Sequence, residues 1–109
     1  MRIYVDFSVF TDSQAVGNVH GHLEFSVVPR QGELVSFEQP KESVAPIQLT
    51  GFAYQLGVEH VIHGARGGQV SLSLADVVLG SRDDARRLFA YLADGFGLYA
   101  DEYDHVSKQ

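Results

Sequence analysis

The second half of the chain constrains the fold most, because it combines a strand hairpin with a helix whose two ends are both marked. Between residues 58 and 74, two runs of alternating apolar and polar residues flank a glycine-rich turn over residues 64–68. This period of two is typical of strands with one buried face. Ser81 then predicts a helix N-cap, apolar spacing over residues 85–92 predicts an amphipathic helix, and Gly95 predicts its left-handed end. These patterns indicate a β-rich chain with one packed helix.

The first part of the chain predicts a further hairpin. Apolar residues alternate with polar ones over residues 3–9 and again over residues 19–27. Both runs therefore read as half-buried strands. The connector over residues 11–18 is polar and contains Gly17 and Asn18, so we expect antiparallel pairing across a loop.

The middle of the chain is predicted to alternate turns with short strands. Residues 29–32, Pro-Arg-Gln-Gly, have the proline-first and glycine-last spacing of a tight turn, and residues 34–37 follow as a third strand. The polar run over residues 38–43 predicts a surface loop. Residues 47–56 are apolar on both sides, which predicts a strand that is covered on both faces or bulged near Gly51.

Together these elements predict an α+β, β-rich fold. Five or six short, mostly antiparallel strands form a curled sheet or a small, partly open barrel with the rhythm of SH3-type folds, followed by one C-terminal amphipathic helix. A chain of 109 residues is expected to build a single domain over residues 1–109. Within it, about residues 100–109 are expected to form a flexible acidic tail.

Composition narrows the partners. Eight Lys and Arg residues against fourteen Asp and Glu give a net charge of −6, which disfavours nucleic acid and favours a basic protein as partner. The absence of cysteine excludes disulfides, thiolate nucleophiles and cysteine-ligated zinc, and it suits a reducing compartment. We find no export signal and no apolar run of bilayer length, so we expect a cytoplasmic location and no membrane association.

Four residues make a candidate metal site on the second predicted strand and its neighbour. His20, His22 and Glu24 lie at every second position and therefore share one strand face. The Cα atoms of neighbouring members of this set are about 7 Å apart. Asp6 could lie opposite His22 or Glu24 and add an oxygen ligand. Imidazole and carboxylate groups suit a divalent transition metal. A solvated strand face carries the same residue types for structural reasons, and we favour that interpretation.

No other constellation predicts catalysis. His60 and His63 are three apart and should point to opposite faces, with His60 partly buried beside Val58 and Ile62. The acidic aromatic cluster over residues 99–104 could dock a basic partner or simply be solvated. Asp76 is predicted to be a half-buried carboxylate that is satisfied by local donors at a bend.

The leading hypothesis is therefore a noncatalytic protein-binding or assembly module, with an inhibitor or immunity-type protein as one subclass. We expect no catalytic residues and no cofactor. The alternative is a metal-binding protein or small metal-dependent enzyme that uses His20, His22, Glu24 and Asp6. A homodimer formed through a sheet edge or the helix flank is a third option.

Overall fold

The computed structural model describes residues 1–12 and 14–103. These residues form seven strands and one helix: β1 (Arg2–Thr11), β2 (Gln14–Glu24), β3 (Leu34–Ser36), β4 (Gln55–His63), β5 (Val70–Leu74), β6 (Val77–Leu79), α1 (Arg82–Phe96) and β7 (Tyr99–Glu102). The strand order is β3-β4-β5-β1-β2-β7, and β6 pairs with β1 farther along that strand. Only β5 and β6 run parallel to β1, and the other pairs are antiparallel. The predicted α+β class is confirmed, with an open mixed sheet rather than a barrel.

The hairpin of β1 and β2 is confirmed and is longer than predicted. Its register runs from Arg2 opposite Glu24 to Thr11 opposite Gln14, with an irregularity between Val9 and Phe10. The predicted loop over residues 11–18 is therefore wrong for most of its length, because β2 already begins at Gln14. The second predicted hairpin is confirmed as β4 and β5.

The helix begins where the sequence predicts and ends later. The Ser81 hydroxyl accepts a hydrogen bond from the Asp84 backbone N–H at 3.1 Å, as expected for an N-cap. The left-handed C-cap is Gly97, with φ of 71°, and not Gly95. Gly95 lies in the last helical turn, where an added Cβ would stand 2.7 Å from Cβ of Pro40. Close packing against the segment after β3, rather than a turn, is what requires glycine there.

One face of the sheet is covered by α1 and by the segment over residues 37–54. Phe37 is fully buried, and its ring meets Phe96 edge-on at 5.2 Å and Phe7 at 6.3 Å between centroids. Tyr91 donates its hydroxyl hydrogen to the Phe37 carbonyl oxygen at 2.6 Å. Gly17 on β2 admits the Phe89 ring, which a Cβ would meet at 2.6 Å. The core thus lies between one side of the sheet and this helical layer.

Two further predictions need correction. The strand expected over residues 47–56 is wrong, because the chain reverses at Thr50 and Gly51 between the bridged residues Leu49 and Phe52, and β4 begins only at Gln55. Gly51 has φ of 96°, and a Cβ there would collide with the Val78 carbonyl oxygen.

The expected tail is also partly ordered in the sheet. Residues 99–102 form β7, which pairs with β2, so the tail assignment is wrong for residues 100–102. Residues 104–109 lie outside the described part of the chain. No helix in the described residues combines the length and the apolar character needed to cross a membrane.

Candidate functional site

The side of the sheet opposite α1 is not covered by any described element, and we call it the open face. Alternation places buried Ile3, Val5, Phe7 and Val9 of β1 toward the helix, so the intervening β1 residues point the other way. The register then assigns the neighbouring side chains to the same side. The open face carries Tyr4, Asp6, Ser8 and Phe10 from β1, Asn18, His20 and His22 from β2, Ser71 and Ser73 from β5, and Tyr99 and Asp101 from β7.

Four rings on this face are in continuous contact and form what we call the aromatic row: Tyr99, His20, Tyr4 and His22. The Tyr99 and His20 rings stack at 6.0 Å between centroids. Tyr4 meets His20 at 6.3 Å and His22 edge-on at 5.4 Å. Tyr99 is 68% exposed although it belongs to a strand. His22 is exposed as well, while Tyr4 and His20 are half-buried, so the row is a partly solvent-exposed aromatic surface that crosses β7, β2 and β1.

Two carboxylates flank the aromatic row. Asp101 lies 3.1 Å from His20, Oδ2 to Nε2, and its side chain is 72% exposed. Asp6 lies opposite His20 in the β1–β2 register. In the described part of the chain neither aspartate forms an ion pair with Lys or Arg. The negative charge of this part of the open face is therefore not neutralised by neighbouring cations.

On the helix side of the sheet, by contrast, acidic side chains are paired with arginines. Glu102 of β7 accepts hydrogen bonds from Arg86 at 2.9–3.1 Å and from Arg82 at 2.9 Å. These guanidinium groups lower the pKa of the Glu102 carboxyl below its ordinary value. Arg87 lies 3.8 Å from Asp84 on the same helix. The arginines of α1 are thus occupied by local acids.

The predicted metal residues share a face but do not converge. Asp6 lies opposite His20 and not opposite His22 or Glu24 as expected, because the register places Tyr4 and Arg2 against those two residues. The Glu24 carboxylate accepts a hydrogen bond from the Met1 amino group at 3.0 Å. Among the described residues, no group of three or more His, Asp or Glu side chains is close enough to hold a metal ion. Metal binding here stays a prediction.

Two other candidates lie where the sequence did not place them. The β4–β5 register shifts between Val58 and His60, so His60 is exposed opposite Ser73 on the open face rather than half-buried. Asp76 is exposed rather than half-buried, and its Oδ1 accepts from the Ser8 N–H at 3.4 Å between β5 and β6. Asp76 thus accepts a hydrogen bond, but its donor belongs to the distant strand β1, so the predicted local donors are wrong for Asp76 and the predicted burial is wrong for both residues.

The aromatic row was not predicted as a unit. The sequence predicts an acidic aromatic cluster that includes Tyr99 and a polar strand face that includes Tyr4, and neither pattern indicates that their rings lie in one row. The available signal was that Tyr4, His20 and His22 all occupy polar-face positions of two strands expected to pair. The contact with Tyr99 had no local signal, because β7 follows β2 by about eighty residues, as the His20–Asp101 separation of 81 shows.

A cleft of about 330 Å³ opens at one end of the same face. Its floor follows the register row of His22, Tyr4 and Ser71 across β2, β1 and β5, and residues 68–70 form a wall. Arg2, on the same side of β1 as Tyr4, completes the lining. The described residues that line the cleft include an arginine and no carboxylate, in contrast to the region around Asp101.

No protein-family model matches the chain, and no curated protein or solved structure matches it either.

Proposed function

We propose that this chain is a noncatalytic protein-binding module that docks a basic segment of a partner protein on its open face. The single observation that carries the proposal is the exposed aromatic row with the carboxylates of Asp6 and Asp101 beside it. Tyrosine is enriched at the energetic centres of protein interfaces, because its ring buries a large area at low entropic cost. The exposed Tyr99 ring, beside carboxylates that form no ion pair with Lys or Arg among the described residues, therefore suits a cationic partner.

The chemistry of the row favours an arginine or lysine side chain from the partner. A cation placed over the Tyr99 ring gains about 0.5–1 kcal/mol at an exposed site and more when water is excluded. Asp101 could bind the same cation, and a carboxylate pairs well with guanidinium through parallel hydrogen bonds. The ring and the carboxylate thus act on one charged group from two sides.

The net charge of the protein also favours a basic partner. The chain carries a net charge of −6. Because α1 arginines are already bound by Glu102 and Asp84, they contribute little net positive potential near the helix. A basic partner would be attracted over long range and would associate faster at low ionic strength.

We propose a noncatalytic role because the His–Asp pair on the open face is exposed to solvent. His20 and Asp101 form the one His–Asp contact on the open face within the described residues, and Asp101 is mostly in solvent. General acid–base catalysis draws its strength from sites that exclude water and tune the pKa of their groups. A solvated pair at a strand edge fits recognition better than proton transfer.

The proposal is tested by recovering the partner from the native cell with the purified chain as bait. We expect a protein with an excess of Lys and Arg whose association rate falls as salt rises. Tyr99→Ser should weaken its binding about fivefold or more. Val27→Ser is the matched control, because Val27 is also exposed but lies outside the sheet. Equal losses in the two variants would count against the open face.

Three finer expectations belong to the same proposal. A cytoplasmic location is part of this proposal, because a chain without cysteine suits a reducing compartment. An inhibitor or immunity-type role would make the basic partner an enzyme whose active site the open face occludes. Homodimerisation through a sheet edge or the helix flank stays a prediction, and sedimentation at high protein concentration tests it.

Metal binding is the alternative function, and the shared face of Asp6, His20 and His22 is what supports it. If it holds, zinc added to the metal-free protein should bind with measurable heat and raise the melting temperature. His20→Ala/His22→Ala should abolish both effects. A titration without heat, or one that the double variant leaves unchanged, would remove the alternative.

A further inference from the structure

We propose that the cleft at the β1 end of the open face binds the carboxylate or phosphate group of a small organic ligand. This inference does not depend on the protein-binding role, because its principal residue, Arg2, belongs neither to the aromatic row nor to its flanking acids. Five polar side chains line the cleft: Arg2, Tyr4, His22, Gln69 and Ser71.

Register brings the donors together. Tyr4 lies opposite His22 on one side and next to Ser71 on the other, so the three residues form one row across adjacent strands. Arg2 precedes Tyr4 by two positions and therefore projects on the same side of β1. A guanidinium group, a phenol, an imidazole and a hydroxyl can all donate hydrogen bonds, and guanidinium binds planar oxyanions through two parallel bonds.

Arg2 is available for such a ligand. In the described part of the chain its side chain forms no ion pair, although Glu24 lies opposite it in the register. The Glu24 carboxylate is instead held by the Met1 amino group at 3.0 Å. None of the described residues that line the cleft carries a carboxylate. Arg2 is an exposed side chain of the cleft lining, so its guanidinium group is accessible to an anion that enters the cleft.

The net negative charge of the chain does not prevent an anion from binding in the cleft. At physiological ionic strength the screening length is about 8 Å, so acids on the far side of the molecule act weakly on the cleft. Arg2 and the ligand would meet at contact distance, where screening is smallest. Among the described residues that line the cleft, Arg2 is the one charged side chain, so the charge in direct reach of the ligand is positive.

The wall and the volume limit the ligand to a small one. The loop over residues 64–69 is closed by hydrogen bonds from the Gly64 N–H to the Gln69 carbonyl at 2.8 Å and from the Gly67 N–H to the Gly64 carbonyl at 2.9 Å. Gly67 and Gly68 both have positive φ, 81° and 84°, which fixes the turn beside the cleft. A volume of about 330 Å³ is at the lower end of the range for small-molecule sites. The Tyr4 ring and Val70 can pack against the ligand body.

Titration of the full chain with benzoate, phenyl phosphate and neutral benzamide tests the site, with backbone amide shifts as the readout. We expect saturable shifts at residues 2–4, 22 and 68–71 with one or both anions at concentrations on the order of 10 mM or below, and none with benzamide. A response to benzoate alone assigns a carboxylate ligand, and one to phenyl phosphate alone assigns a phosphate.

Variants separate this site from general surface effects. Arg2→Gln should weaken anion binding about tenfold or more, and Tyr4→Phe should weaken it less. Arg66→Gln is the matched control, because Arg66 is an exposed arginine of the adjacent loop that does not line the cleft. The proposal is overturned by the absence of saturable shifts, by equal shifts with benzamide, or by equal losses in Arg2→Gln and Arg66→Gln. Asp101→Asn, which tests the partner face, should leave anion affinity unchanged.

Discussion

At the scale of single residues, Tyr91 illustrates how this fold satisfies a polar group inside its core. The side chain is buried, and burial raises the pKa of its phenol. Its hydroxyl hydrogen is donated to the Phe37 carbonyl oxygen at 2.6 Å, which connects α1 to the segment after β3. Because the carbonyl is equally shielded from water, loss of the donor should leave it unsatisfied.

We therefore expect Tyr91→Phe to lower the free energy of unfolding by about 1–2 kcal/mol. Urea denaturation measures the change. Tyr99→Phe is the control, because Tyr99 is 68% exposed and its hydroxyl can bond to water in either state. That variant should shift stability by no more than about 0.5 kcal/mol. Equal destabilisation by the two substitutions would contradict the role given to the Phe37 hydrogen bond.

At the scale of elements, the connection between α1 and β7 is an ion-pair cluster. The Glu102 carboxylate accepts hydrogen bonds from Nε and Nη2 of Arg86 and from Nη1 of Arg82. Arg82 also donates a hydrogen bond to the Tyr103 carbonyl oxygen at 2.7 Å. Hydrogen bonds from Arg86, followed by those from Arg82, lower the pKa of the Glu102 carboxyl. The cluster holds an acidic strand against a helix that carries three arginines.

This cluster predicts a specific acid sensitivity. Because the folded pKa of Glu102 is depressed, its contribution to stability is present above the ordinary carboxyl value of 4.5 and is lost as pH falls through the lower folded value. We expect Glu102→Gln to flatten the fall in melting temperature between neutral pH and about pH 3. Glu59→Gln is the control, since Glu59 is exposed and forms no ion pair in the described chain. An unchanged acid profile in Glu102→Gln would contradict the role of the cluster.

Elements with a local pattern were predictable from the sequence, and those set by distant contacts were not. Alternation identified β1, β2 and the β4–β5 hairpin, and Ser81 marked the helix start. The reversal at Gly51 depends on packing against the Val78 backbone, and the later helix end depends on Pro40 packing against Gly95. Neither contact leaves a periodic signal in the chain.

For the same reason, only part of the candidate site could be predicted from the sequence. The face of His20 and His22 followed from strand alternation, but the ring contact and hydrogen bond that β7 adds join residues far apart in sequence. The sequence of β7, Tyr-Ala-Asp-Glu, shows no run of alternating apolar residues, so residues 100–102 are predicted as part of an acidic tail. Pairing with the free edge of β2 and with the α1 arginines makes it a strand.

At the scale of the whole molecule, the sheet separates two differently charged surfaces. On the helix side, Arg82, Arg86 and Arg87 are matched by Glu102, Asp83 and Asp84. On the open face, Asp6 and Asp101 lie beside exposed aromatic rings without such partners. This asymmetry, rather than the net charge alone, directs a basic partner to one side of the protein.

The most direct test measures the association rate of the recovered basic partner at low and high salt for matched charge variants. Asp6→Asn/Asp101→Asn should slow association on the order of two- to tenfold at low salt and flatten its salt dependence. Glu42→Gln/Asp94→Asn removes the same charge near the helix end, where the Lys41 backbone N–H donates to the Gly95 carbonyl oxygen. This control should leave the association rate and its salt dependence nearly unchanged. Salt-independent association, or equal effects of the two double variants, would contradict docking of a basic partner on the open face.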